Sequence, residues 1–95
     1  MRNQILERMI AMTKKELKVV FVNGAKTIIG YLKEGRDGFW CRKVIEKALI
    51  VQGKCMGLDK KFPKAFADLK GYYPIDNYVG LIMVLEKFIE TLESE

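Results

Sequence analysis

The chain has no histidine, one serine (Ser94), two prolines and two cysteines among its 95 residues. Each shortage removes chemistry. Without histidine, neither a Ser-His-Asp triad nor a Cys-His pair can be assembled. A zinc site would need carboxylates to complete it, which structural zinc seldom uses. Cys41 and Cys55 form no CxxC pair and read as reduced, half-buried thiols that pack like small apolar groups. A disulfide between them would need an oxidising compartment, for which there is no export signal. The apolar stretch from Val79 to Leu85 has seven residues, against the roughly 20 that a membrane span requires. Glu7 and Arg8 interrupt the N-terminus before a signal-peptide core can form. Acidic residues are scattered without a catalytic motif. These features predict a cytoplasmic protein that is not an enzyme, with no catalytic residues, no metal, no cofactor and no membrane partner.

What is present suits one folded domain over residues 1–95: 49% hydrophobic and 31% charged residues. The charge is uneven. Residues 1–64 carry fifteen Lys/Arg against six Asp/Glu, and residues 65–95 carry two against six. A basic body with an acidic C-terminal segment suits a polyanionic partner, although lysines also solvate ordinary surfaces.

The decisive segment is Leu17 to Leu32. Asn23-Gly24 lies between Leu17-Lys18-Val19-Val20-Phe21-Val22 and Ala25-Lys26-Thr27-Ile28-Ile29-Gly30-Tyr31, and Asn-Gly suits a two-residue type I′ hairpin turn. In a hairpin, Leu17, Val19, Phe21, Ile28 and Leu32 share one face. In a helix, Leu17, Val20, Phe21, Gly24, Ile28 and Tyr31 share one. The helix must then hold six β-branched residues and two interior glycines, which cost about 1 kcal/mol each relative to alanine. That balance favours the hairpin.

Around it, Asn3 can cap a first helix carrying Ile5, Leu6, Met9 and Ile10. Thr13-Lys14-Lys15-Glu16 fits a capping box. Glu34-Gly35-Arg36-Asp37-Gly38 is a turn. Phe39 to Val44 is open to a third strand, although Cys41, Val44, Ile45, Ala48 and Leu49 also follow a helical period, and Leu49-Ile50-Val51 is open to a fourth strand. Pro63 suits the first position of a helix lined by Phe62, Phe66 and Leu69. Asp76 or Asn77 then caps a last helix with a stripe of Tyr78, Leu81, Ile82, Leu85, Phe88, Ile89 and Leu92. Glu86, Glu90 and Glu93 lie toward its other side, while Val79, Met83 and Val84 fall beyond the stripe, on a surface able to meet a partner or a second copy.

Two resemblances follow. Val22-Asn23-Gly24-Ala25-Lys26 with Gly30, Leu32-Lys33, Gly35, Asp37 and Phe39 resembles the first motif of Sm-like proteins of the Hfq type, over about residues 4–58. The glycine-to-glycine and glycine-to-aspartate spacings are each one residue longer, and Gln52-Gly53-Lys54 stands near where that family has Tyr-Lys-His. This resemblance implies a ring-forming RNA binder. Glu16-Leu17 and Gly24-Ala25, together with Lys47-Ala48, Leu58-Asp59 and the final helix, resemble the flagellin export chaperone. That resemblance implies an antiparallel helical bundle holding a partner's helix.

The expected fold is therefore α+β: an N-terminal helix, a small antiparallel sheet starting with the 17–32 hairpin, and two C-terminal helices, with an all-α bundle as the alternative. The expected function is a small basic module that binds nucleic acid, RNA in particular, with a homo-oligomer open to it. Lys14, Lys15, Lys18, Lys33, Arg36, Arg42 and Lys43 would contact phosphates and Trp40 would stack on a base. The alternative is a helical adaptor that holds a partner protein's amphipathic helix. The RNA reading predicts binding that weakens steeply with added salt; RNA retention independent of salt contradicts it.

Overall fold

Thr13 starts the first helix among the described residues. Its hydroxyl accepts the Glu16 backbone N–H at 3.1 Å, and its own N–H donates to the Glu16 carboxylate at 3.0 Å. The capping box in the sequence is therefore formed. The hydrogen bond from the Thr13 backbone, and after it the Thr13 side chain, holds the Glu16 carboxyl below the usual glutamate range. Helix α1 then runs from Lys14 to Lys33 without a break. The computed structural model describes residues 12–72 and 77–95, and every element among them is helical.

This overturns the α+β expectation and its antiparallel sheet. The 17–32 segment is one helix, and the stretches 39–44 and 49–51 are helical as well. Burial shows why. Leu17, Phe21, Val22, Ala25, Ile28, Ile29 and Leu32 are all buried, whereas Val19 and Val20 are 54% and 44% exposed. A two-residue period would bury Val19 beside Leu17 and Phe21; a helical period turns it out. Burying a large apolar side chain contributes about 1.5–3 kcal/mol, so these residues together outweigh the roughly 2 kcal/mol cost of Gly24 and Gly30. Thr27 settles into the helix by donating its hydroxyl to the Asn23 carbonyl at 2.9 Å.

The left-handed turn lies eleven residues beyond Gly24. Gly35 has φ 90°. Its N–H donates to the Leu32 carbonyl at 3.1 Å, and the Arg36 N–H donates to the Tyr31 carbonyl at 3.0 Å, which closes α1 with a Schellman motif. The expected turn at 34–38 is present. Asp37 then caps α2 (Gly38–Val44) by accepting the Trp40 N–H at 2.9 Å.

Helix α2 continues through a π-helical segment (Ile45–Val51) into α3 (Gln52–Met56), forming one rod. The rod's buried residues are Cys41, Ile45, Leu49 and Gly53, a strict four-residue repeat. In an α-helix each four-residue step drifts by about 40°, so three steps would carry the row about 120° off the core. The wider turn of i→i+5 bonding takes up that drift. This is why Ala48, counted on the 3.6-residue pattern, is exposed.

Gly57, at φ 83°, ends the rod. A short α4 (Leu58–Lys61) leads to α5 (Pro63–Leu69), with Pro63 at its start as expected, and a single 3-10 turn covers Lys70–Tyr72. Asn77 caps α6 (Tyr78–Ser94) by accepting the Gly80 N–H at 2.7 Å. Leu81, Leu85, Phe88 and Leu92 are its buried stripe, and Tyr78 leaves that stripe at 57% exposure. The helix expected around Asn3 and the capping role of Asp76 fall outside the described residues.

Helix α6 packs against α5 on one side and α1 on the other, while α1 also meets the rod. Glu95 closes the assembly: its carboxylate accepts the Lys64 and Ala65 N–H groups at 3.2 and 3.1 Å. It thereby caps α5, whose own N-cap residue Phe62 supplies no side-chain hydrogen bond.

The glycines of these helices have different jobs. A Cβ on Gly53 would lie 3.0 Å from Leu58 Cδ2 and 3.4 Å from the Phe66 ring, whereas one on Gly30 would meet nothing within 4 Å. Gly30→Ala should stabilise the protein by about 0.5–1 kcal/mol through helix propensity. Gly53→Ala should destabilise it by about 1 kcal/mol or more, because crowding outweighs the same propensity gain. Urea denaturation of both variants checks the pair, and equal shifts would refute the close-packing assignment.

Candidate functional site

The predicted phosphate-contacting residues do not form one surface. Lys14, Lys15 and Lys18 occupy the start of α1 and Lys33 its last turn, with Arg36 just beyond. A 20-residue helix separates these groups by up to about 30 Å.

The first group has structural partners. The Lys14 and Lys18 ammonium groups lie 5.1 and 5.8 Å from the Phe62 ring centroid. Lys18 also donates to the Glu93 carbonyl at 3.4 Å, and nearby Lys61 donates to the Met12 carbonyl at 2.6 Å. These lysines bind the start of α1 to α4, α5 and the end of α6. Lys15 stays exposed.

The second group forms a corner with aromatic rings. The Arg36 guanidinium lies 5.4 Å from the Tyr31 centroid and 5.2 Å from that of Trp40, and these two rings meet edge to face at 5.6 Å. On the next face of α2, Arg42 and Lys43 lie 5.2 and 5.4 Å from the Phe39 centroid. Phe39 and Trp40 are 53% and 41% exposed, so neither belongs to the core. A cleft of about 400 Å³ adjoins this corner, lined by Lys33, Arg36 and Tyr78 among others.

The larger concavity was not visible as a unit in the sequence. It is an open groove of about 560 Å³ between α1 and α6. Helix α1 contributes Lys26, Ile29, Gly30 and Lys33; helix α6 contributes Glu86, Ile89, Glu90 and Glu93. Each set is an i, i+3, i+4, i+7 quartet, the residues that share one helix face. Ile29 and Ile89 make an apolar floor, and Gly30 opens it because no side chain fills the gap. One wall is cationic and the other anionic. Matching the two quartets, with a glycine inside one of them, is the signal that would have found the groove, but it requires knowing that α1 and α6 are neighbours.

A third surface lies where α6 faces outward. Val79 and Met83 are 51% and 64% exposed. Gly80, Met83 and Val84 line a shallow cleft of about 300 Å³ with Asp68 and Lys87 at its rim. The Thr91 hydroxyl donates to Asp68, tying α5 to α6 beside it.

Among the described residues no group of three or more His, Cys, Asp or Glu is placed to hold a metal ion, and no helix is long and apolar enough to cross a membrane. Cys41 and Cys55 are not joined in a disulfide. They are not equivalent half-buried thiols: Cys41 is fully buried, and burial pushes its thiol up, whereas Cys55 is exposed. No family model, curated protein or solved structure matches the chain.

The placement of Lys14 and Lys18 over Phe62 predicts a stability effect. The double substitution Lys14→Ala/Lys18→Ala should cost about 1 kcal/mol, lowering the melting temperature by about 4–8 °C. Lys15→Ala should stay within about 0.5 kcal/mol of the parent. Thermal melts test this, and identical behaviour of the two variants would count against the contact.

Proposed function

We propose that this chain is a non-enzymatic helical adaptor whose α1–α6 groove receives an amphipathic helix from a partner protein. The groove itself carries the reading: two antiparallel quartets leave an apolar trough between charged walls, the shape that helix-in-groove recognition uses. The all-helical architecture and the division of the basic residues between two ends of α1 both support it.

A second reading, nucleic-acid binding, draws on the corner of Tyr31, Phe39 and Trp40 with Arg36, Arg42 and Lys43. Exposed rings beside cations suit unpaired bases and their phosphates. It places Lys33, Arg36, Trp40, Arg42 and Lys43 in one site and leaves Lys14, Lys15 and Lys18 out of it.

Amide chemical-shift mapping separates the two. A Leu-rich amphipathic peptide should perturb Ile29, Gly30 and Ile89, and Gly30→Leu, which fills the trough, should weaken its binding at least tenfold. A uridine oligonucleotide should leave those amides unmoved. Peptide-induced shifts confined to Met83 and Val79, or to the Trp40 corner, would overturn the groove assignment.

A further inference from the structure

Recognition by this groove has a chemical consequence beyond its shape. On the α1 wall, Lys26 and Lys33 stand seven residues apart; on the α6 wall, Glu86, Glu90 and Glu93 follow at i, i+4 and i+7. All five are exposed. Among the described residues no ion pair joins the walls, so each keeps its own sign along the trough. Ile29 is buried and Ile89 half-buried, so the apolar floor is narrow, about two helical turns long. A floor of that size holds an occupant loosely, and the flanking charges must contribute much of the selectivity.

We infer that the occupant is a partner protein's helix with an acidic edge and a basic edge on opposite sides of its apolar stripe. The inference rests on the groove reading above and names the partner's chemistry. A helix lying in the trough presents one edge to each wall, as flanking positions do in a coiled coil. An acidic edge meets Lys26 and Lys33, and a basic edge meets the three glutamates. Reversing the chain direction of the occupant exchanges its edges, so a helix with one edge of each sign always has an orientation that satisfies both walls. A helix with two acidic edges, or two basic ones, never does.

Net charge by itself favours a different partner. At +5 the chain attracts polyanions from a distance, and a helix acidic on both edges would be favoured by that field. At physiological salt the field is screened beyond about 8 Å, and the local pattern decides. There the doubly acidic helix meets three glutamates and the doubly basic one only two lysines. The expected order of affinity is one edge of each sign, then doubly basic, then doubly acidic.

The test uses the full chain and four labelled peptides with the same three-heptad Leu stripe, followed by fluorescence anisotropy. Their edges are one acidic and one basic, both acidic, both basic, or both glutamine. The mixed-edge peptide should bind about tenfold more tightly than either single-sign peptide, and this advantage should largely vanish in 1 M salt. Lys26→Glu/Lys33→Glu should move the preference to the doubly basic peptide; Glu86→Lys/Glu90→Lys/Glu93→Lys should move it to the doubly acidic one. Circular dichroism of both variants confirms that these surface changes leave the fold intact. If the mixed and glutamine-edged peptides bind equally, the charge pattern is refuted while the groove reading survives. If no peptide binds, the groove reading fails with it. Tightest binding of the doubly acidic peptide, or no response to either wall reversal, overturns the inference in favour of net charge or another surface.

Discussion

The approach of Leu49 to Gly24 is the contact on which the arrangement depends. A Cβ on Gly24 would stand 3.3 Å from the Leu49 terminal methyl, tighter than side chains ordinarily pack. Its absence lets the π-helical segment lie directly on α1. With one flank of α1 covered by the rod, the other flank is left for α6, and α6 in turn for α5. The glycine lowers the intrinsic stability of α1, but the packing it permits is larger than that loss.

The same close contact explains the rod's unusual geometry. Cys41, Ile45, Leu49 and Gly53 must all face inward, and only a locally widened helix keeps a four-residue repeat in line. Gly53, one turn beyond Leu49 on the rod, repeats the role of Gly24, making room for Leu58 and Phe66. Small residues at helix crossings set the spacing, and the large residues opposite them fill the core. Gly30 is the exception. It lies on the α1 face toward α6 with nothing above it, and the unfilled space becomes the floor of the groove.

Parts of the fold were legible because their signals are local. The Thr13–Glu16 box, the Gly35 turn, Pro63 at the start of α5, the Asn77 cap and the α6 stripe each depend on residues within a turn or two of one another. The 17–32 segment was not legible in this way. Leu17 and Phe21, like Ile28 and Leu32, are four residues apart, a spacing that suits a helix face and is also even, so it suits a strand face. Val19, Val22, Ala25 and Ile29 separate the two templates, since the helix exposes the first and buries the other three. All four are apolar, so the residue types alone do not say which are turned inward. For the candidate site, Lys33, Arg36, Trp40, Arg42 and Lys43 were visible as a basic and aromatic cluster. The groove was not, because its two walls lie more than fifty residues apart in the chain.

By itself the sequence determined what cannot be assembled from its residue types: without histidine, neither a Ser-His-Asp triad nor a Cys-His pair can be built from this chain. It also carried the local signals at Thr13, Gly35, Pro63 and Asn77, since caps and turns are short-range hydrogen-bond devices. Tertiary structure alone decided that Asn23-Gly24 lies inside a helix. A glycine has no side chain to declare its purpose, and whether it serves a turn or a close approach depends on what stands opposite. Here Leu49 stands opposite, twenty-five residues away, and only folding brings it there.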